Sequence, residues 1–190
     1  SVARDFVEFP SQFFENWATH PEIIKNYAKH YETGDLIPQE LLDKIEAAGT
    51  FNQGYSTVEN LASSNIDYEW HTISAGTNIE DATAFEEAAL KKYNLDGVHA
   101  VKPRYRSTYF NHIFNGGYAA GYYSYLWTDM LNYDAYQWFV ENGGLTRENG
   151  QRFRDMILSS GNTLDYDEMY KDFRGGNPSI EPMLKARGLM

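Results

Sequence analysis

Apolar side chains recur along this sequence at the spacing of an α-helix. Near the start, four aromatic side chains lie three or four residues apart: Phe6, Phe9, Phe13 and Trp17. This spacing puts them on one face of a helix, which we expect to enter a core. Similar periods follow, and only residues 98–105 suggest an extended segment. The sequence therefore predicts an all-α fold.

Glycine, proline and capping residues divide this pattern into successive helices. We expect helices at 3–19, 22–31, 39–48, 51–73, 79–95, 118–141, 147–160, 165–173 and 181–187. Proline inside a helix costs about 3 kcal/mol, so Pro10 predicts a kink or a break in the first of them. Thr146 has the hydroxyl of an N-cap residue. The inward faces are expected to include Tyr27, Leu41, Ile45 and Tyr55.

Composition limits the possible functions. The 190 residues are 42% hydrophobic, which is enough to bury a core, and no apolar run is long enough to span a bilayer. The formal charge of −11 argues against nucleic acid or an anionic membrane as a partner. No cysteine is present for a disulfide, a thiolate zinc site or a nucleophile. The opening SVARDF is typical of a helix interior, so we expect a chain truncated at its N-terminus.

Residues 112–127, HIFNGGYAAGYYSYLW, contain the densest group of polar aromatic side chains. Gly116 and Gly117 predict a tight, mobile turn. After them Tyr118, Tyr122 and Tyr125 fall at i, i+4 and i+7, the spacing of one helical face. Such phenols, with His112, are suited to bind a polarised carbonyl or an oxyanion. Tyrosine is abundant here, with 15 of 190 residues, so packing is the alternative interpretation.

A polar stripe runs along the first helix at i, i+3, i+7 and i+10: Asp5, Glu8, Gln12 and Glu15. Such stripes ordinarily face solvent. Val7, Phe9 and Phe14 flank this one, however, and leave little of the circumference for water. Buried carboxylates need a cation, a hydrogen-bond donor or a metal. The stripe is therefore either a solvated face or part of a binding site.

Several of these segments resemble the thimet oligopeptidase family of zinc metallopeptidases, in particular its peptidyl-dipeptidase branch. The resemblance rests on RDFVEFPSQ at residues 4–12, RYRSTYFNH at 104–112, the tyrosine-rich stretch that follows, and KARGL at 185–189. It extends over nearly the whole chain. It implies that residues 1–190 are the C-terminal part of a helical, zincin-type catalytic domain.

The resemblance also implies roles for individual residues. Glu8 matches the third protein ligand of a catalytic zinc, and Glu15 would orient the ligands. Tyr118 and Tyr125 match tyrosines that bind substrate and stabilise the tetrahedral intermediate, and His112 matches a substrate-binding donor. Three more side chains are candidates for substrate binding, although ordinary structural roles remain open for each: Tyr122, Arg104 and Arg106. An arginine is suited to the terminal carboxylate of a peptide.

One essential motif of this family is missing. A zinc peptidase of this type needs His-Glu-x-x-His, which supplies two imidazole ligands and a general base. None of the five histidines here has a second histidine four residues away. The chain by itself is therefore not expected to bind catalytic zinc tightly or to hydrolyse peptides.

The function implied for the intact protein is the release of dipeptides from the C-termini of oligopeptides. Its partners would be the oligopeptide substrate and the N-terminal remainder of the same protein, in the cytoplasm, with the periplasm as the alternative. Two alternatives remain open. One is an endo-acting oligopeptidase of the same family, and the other is a helical module that binds peptides without cutting them.

Overall fold

The computed structural model describes residues 1–96 and 102–190, and its regular elements are helices. The α-helices are α1 (Arg4–Val7), α2 (Phe9–Ala18), α3 (Pro21–Tyr27), α4 (Gln39–Gly49), α5 (Gln53–Thr72), α6 (Ala82–Lys92), α7 (Asn111–Phe114), α8 (Ser124–Glu141), α9 (Arg147–Phe153), α10 (Tyr166–Arg174) and α11 (Glu181–Ala186). A 3₁₀ turn spans Ser107–Tyr109, and a π-helical turn spans Arg154–Leu158.

The predicted all-α class is confirmed. Within the described ranges, β pairing is limited to an isolated antiparallel bridge between Lys29 and Leu36. Half of the expected extended segment, residues 98–101, lies outside the described residues, and residues 102–105 form no strand. The described residues make up two compact units. The first unit contains Ser1–Phe51 and Trp127–Met190, and the second contains Asn52–Leu126.

Aromatic side chains dominate the core of the first unit. The predicted inward face of the first segment is confirmed, because its four aromatic residues, Phe6, Phe9, Phe13 and Trp17, are all buried. The ring of Phe13 stacks on that of Phe153 at 4.2 Å between centroids and lies 5.2 Å from that of Phe139. Burial of large apolar side chains is the main stabilising contribution to such a unit.

Pro10 divides the first segment as predicted. Helix α1 ends at Val7, and α2 begins at Phe9 with Pro10 in its first turn. Proline is tolerated there because an N–H in the first turn has no intrahelical acceptor. Residues 1–3 are not helical, whereas the sequence suggested a helix interior.

The polar stripe is more exposed than the sequence suggested. In this chain Glu15 is exposed, and Asp5, Glu8 and Gln12 are half-buried. Phe14, which was expected to close off one side, is 53% exposed. The expectation that the flanking residues leave little of this face for water is therefore wrong at Glu15, where the alternative of a solvated face applies.

Four side chains expected on inward faces are exposed: Tyr27, Leu41, Ile45 and Tyr55. Helix α3 ends at Tyr27, four residues earlier than predicted. Helix α5 spans nearly the predicted range but buries a different face, made of Ala62, Ser63, Ile66 and Asp67. Periodicity identified most of the helices, but it misjudged which faces are covered.

The N-cap of α9 is confirmed and gives a first prediction. The hydroxyl of Thr146 accepts a hydrogen bond from the backbone N–H of Asn149 at 3.1 Å. Thr146→Ala leaves that N–H without its acceptor, so we expect the free energy of unfolding of the chain to fall by about 1 kcal/mol. Thr146→Ser retains the hydroxyl and serves as the control. Urea denaturation measures both, and equal losses for the two variants would contradict a capping role.

Candidate functional site

A tight turn connects α7 to the tyrosine-rich segment, as predicted. The backbone N–H of Gly116 donates to the carbonyl oxygen of Asn111 at 2.7 Å, and that of Tyr118 donates to the carbonyl of His112 at 2.9 Å. A Cβ at Gly116 would lie 2.9 Å from the Cα of His112, which is closer than side-chain atoms pack. Gly117 has φ +81°, in the left-handed region that favours glycine.

The predicted helical face of three tyrosines is wrong. Helix α8 begins at Ser124, so Tyr125 lies on it, while Tyr118 and Tyr122 lie in the turns before it. Ala120 has φ +53° and interrupts any helix through this segment. The backbone N–H of Gly121 donates to the carbonyl of Tyr118 at 2.8 Å and closes the turn.

The turn nevertheless brings these rings together. The rings of Tyr118 and Tyr125 stack with centroids 5.2 Å apart, and Tyr122 lies 5.2 Å from Tyr125. The His112 ring lies 5.9 Å from Tyr118, 5.7 Å from Tyr122 and 6.2 Å from Tyr125. We call these four residues the tyrosine cluster. The juxtaposition inferred from the sequence is present, although a turn produces it and not a helical face.

Members of the tyrosine cluster differ in exposure. Tyr122 is only 5% exposed and belongs to the core of the second unit, with Phe110 and Ile113. Burial raises the pKa of its phenol above the ordinary value. Tyr118, Tyr125 and His112 are half-buried and therefore have surface left for a ligand. The burial of Tyr122 favours packing as its role.

The two candidate arginines have different environments. The Nε of Arg106 is paired with a carboxylate oxygen of Glu86, a buried residue. The other oxygen of Glu86 accepts hydrogen bonds from the N–H and the hydroxyl of Ser107, at 2.9 and 3.0 Å. Arg104 is exposed, and its guanidinium lies 5.8 Å from the centre of the Tyr105 ring. Arg106 therefore compensates a buried charge, which makes Arg104 the better candidate for binding a ligand carboxylate.

Glu8 lies in the first unit, at the junction between α1 and α2. Its carbonyl oxygen accepts from the backbone N–H of Gln12 at 3.0 Å, and its carboxylate makes a long contact of 3.5 Å with the hydroxyl of Ser11. Glu15 follows on α2 and is exposed. In the part of the chain that the structure describes, no three His, Asp or Glu side chains are grouped closely enough to hold a metal ion. The described residues alone therefore do not fit a zinc centre.

Asp67 is a further candidate that the analysis of the sequence missed. It lies on α5, in the second unit, and its carboxylate accepts hydrogen bonds from the backbone of the turn that contains Tyr118 and Tyr122. The signal for it in the sequence is a charged residue directly after an apolar one, Ile66, which the structure buries.

Among the described helices, none is both long and apolar enough to cross a membrane.

Comparison with known proteins connects these features to one family. Residues 1–189 match peptidase family M3. The chain is 54% identical over 189 residues to the dipeptidyl carboxypeptidase of Escherichia coli and 53% identical to that of Salmonella typhimurium, covering all of this chain and 28% of each relative. It is 42% identical over 191 residues to the oligopeptidase A of Salmonella typhimurium, covering 99% of this chain and 27% of that protein. The chain thus spans little more than a quarter of the length of these relatives.

Proposed function

This chain belongs to peptidase family M3, and we propose that it is the C-terminal part of a zinc-dependent peptidyl-dipeptidase, which removes dipeptides from the C-termini of oligopeptides. The family assignment agrees with the resemblance seen in the sequence. The observation that carries the proposed activity is the higher identity with the dipeptidyl carboxypeptidases than with oligopeptidase A. A cytoplasmic location, with the periplasm as the alternative, belongs to the same proposal.

The tyrosine cluster is proposed to bind the substrate backbone and to stabilise the oxyanion. Tyr118 and Tyr125 offer phenolic donors beside the imidazole of His112, and all three are half-buried. Donors fixed in a partly dry environment stabilise developing negative charge better than water does. The stacked rings restrict the phenols to a few orientations, which supports this role.

Arg104 is proposed to bind the terminal carboxylate of the peptide. An enzyme that removes dipeptides must recognise that carboxylate, and a guanidinium can bind it through two hydrogen bonds. Among residues 1–96 and 102–190, no carboxylate forms an ion pair with Arg104, and the side chain of Arg104 is exposed. Arg106 and Tyr122 are proposed to support the site by packing and by charge compensation, since both have buried partners.

Glu8 is proposed to supply one zinc ligand in the whole protein. The other ligands and the general base would come from parts of that protein outside this chain, because the histidines present lack the required spacing. Glu15 lies seven residues after Glu8, which is about two helical turns, and is proposed to orient the ligands. The support for the role of Glu8 is the resemblance of residues 4–12 to the family motif, and that for Glu15 is its position two turns after Glu8 along the sequence.

Product analysis on the whole protein tests the proposed activity. An N-acetylated oligopeptide with a free carboxylate is expected to lose dipeptides successively from its C-terminus. The same peptide with a C-terminal amide is expected to remain uncut, because the carboxylate that Arg104 would bind is absent. Mass spectrometry of the products distinguishes the two substrates.

Two other outcomes would support different functions. Internal cleavage of both peptides would favour the endo-acting oligopeptidase, a possibility suggested by the identity with oligopeptidase A. Binding of both peptides without cleavage would favour the helical peptide-binding module.

We further predict that the 190-residue chain by itself binds zinc weakly and is inactive. The reason is that the described residues offer no group of three metal-binding side chains. Calorimetric titration with micromolar zinc, together with an assay for released dipeptides, measures both properties. Stoichiometric tight binding accompanied by turnover would contradict the proposal that most of the ligands lie outside this chain.

A further inference from the structure

The second unit contains a buried carboxylate that the proposed roles leave unexplained. Asp67 is 1% exposed and lies on α5 among the residues that the helix buries. A carboxylate removed from water must be compensated by hydrogen bonds or by a positive charge. The groups that compensate Asp67 therefore indicate what it is used for.

Both oxygens of Asp67 bind backbone N–H groups of the same turn. Oδ1 accepts from Ala120 at 2.9 Å, and Oδ2 accepts from Tyr122 at 2.8 Å, so that the carboxylate spans Gly121. The Nδ1 of His71, one helical turn further along α5, lies 2.8 Å from Oδ1. It also lies 2.8 Å from the Asp67 carbonyl oxygen. These contacts connect α5 to a segment more than fifty residues later in the sequence.

The turn has a conformation that its own residues do not favour. Ala120 has φ +53°, in the left-handed region where a Cβ meets the following carbonyl. A hydrogen bond from the next N–H, that of Gly121 to Tyr118, closes the turn. Contacts from outside the turn must help to maintain this geometry. Asp67 supplies two charge-assisted hydrogen bonds, on either side of Gly121.

We propose that Asp67 is a positioning residue that holds the tyrosine cluster in its geometry. By fixing the N–H groups of Ala120 and Tyr122, it sets the position of Tyr118 at the start of the turn and the point where α8 begins, at Ser124, one residue before Tyr125. It touches no reacting atom in this role. The catalytic consequence rests on the proposed peptidase function, whereas the structural consequence does not.

Hydrogen exchange in the whole protein tests the structural consequence. Asp67→Asn is nearly isosteric, but its amide group presents donors where one of the turn's N–H groups needs an acceptor. Exchange of the amides at 120–122 is expected to become roughly tenfold faster, with little change in α5 and α6. The matched control is Glu86→Gln, which alters another buried carboxylate of the second unit and is expected to affect the amide of Ser107 instead.

Steady-state kinetics of the Asp67→Asn protein test the catalytic consequence. Asp67→Asn is expected to lower kcat by roughly tenfold or more, since donors that are no longer fixed stabilise a transition state less well. If Asp67 acts through the tyrosine cluster, the same substitution made in a Tyr118→Phe, Tyr125→Phe background should lower kcat much less. Equal losses in the two backgrounds would contradict an action through the tyrosines.

The outcomes separate this inference from the proposed function. Unchanged exchange at 120–122 would overturn it, and so would faster exchange throughout the second unit, which indicates a general structural role. Faster local exchange with an unchanged kcat would also overturn the positioning role. If the wild-type protein releases no dipeptides, the proposed function fails, and the exchange experiment still shows whether Asp67 fixes the turn.

Discussion

Glu8→Gln, made in the whole protein, is expected to lose zinc without losing the fold. Loss of a residue that only hydrogen-bonds to a metal ligand typically weakens metal binding 10–100-fold. Glu8 is proposed to be a ligand itself, so replacing its carboxylate with a neutral amide should weaken zinc binding by more than that. Peptidase activity should fall with the metal content. The fold should be affected little, because glutamine is nearly isosteric with glutamate and Glu8 is only half-buried, so the substitution creates no cavity.

Metal content and melting temperature are the two quantities to compare. The melting temperature should be measured in the metal-free state, since bound zinc stabilises the folded protein by mass action. Glu22→Gln, at an exposed position in the first turn of α3, is the control and should retain zinc. A Glu8→Gln protein that keeps stoichiometric zinc but melts at a much lower temperature would assign Glu8 a structural role.

Local features of the fold could be predicted from the sequence. The break near Pro10 and the cap at Thr146 depend on residues within one turn of each other, so local chemistry determines them. The buried face of Phe9 and Phe13 follows from spacing alone. Spacing does not show whether another element covers a face, and the exposure of Ile45 on α4 illustrates this difference.

The geometry of the tyrosine cluster could not be predicted in the same way. The spacing of Tyr118, Tyr122 and Tyr125 is compatible with a helix, and a helix was predicted. The segment instead forms a turn with a left-handed residue at Ala120, and Asp67 binds the backbone of that turn. This interaction joins positions 53 residues apart, so no local pattern reveals it. The residue types of the site were visible in the sequence, whereas the way they are held together was not.

Tyr125→Phe, made in the whole protein, is expected to lower kcat by roughly 10²–10³-fold. A phenol directed at a developing oxyanion donates a stronger hydrogen bond in the transition state than in the ground state. Its removal should therefore appear mainly in kcat and much less in KM. Phenylalanine keeps the ring that stacks on Tyr118 at 5.2 Å, so the melting temperature should change little.

Two related variants make this result interpretable. Tyr123→Phe removes an exposed phenol from the neighbouring turn and should leave kcat within about twofold of the wild type. Tyr118→Phe should change KM as well as kcat, because Tyr118 directly follows the two glycines, whose flexibility could let it reach the substrate only after binding. Steady-state kinetics on a short oligopeptide with a free C-terminus provides both parameters.

The decisive comparison is between Tyr125→Phe and Tyr123→Phe. If both variants keep kcat within about twofold of the wild type, the stacked tyrosines serve packing, as the abundance of tyrosine allows, and the oxyanion is stabilised by other groups. If only Tyr125→Phe loses kcat while its melting temperature is maintained, the lost group is a donor and not a packing contact. Because Tyr125 lies in the first turn of α8, the catalytic geometry then depends on where that helix begins, two residues after Tyr122, whose backbone N–H Asp67 binds.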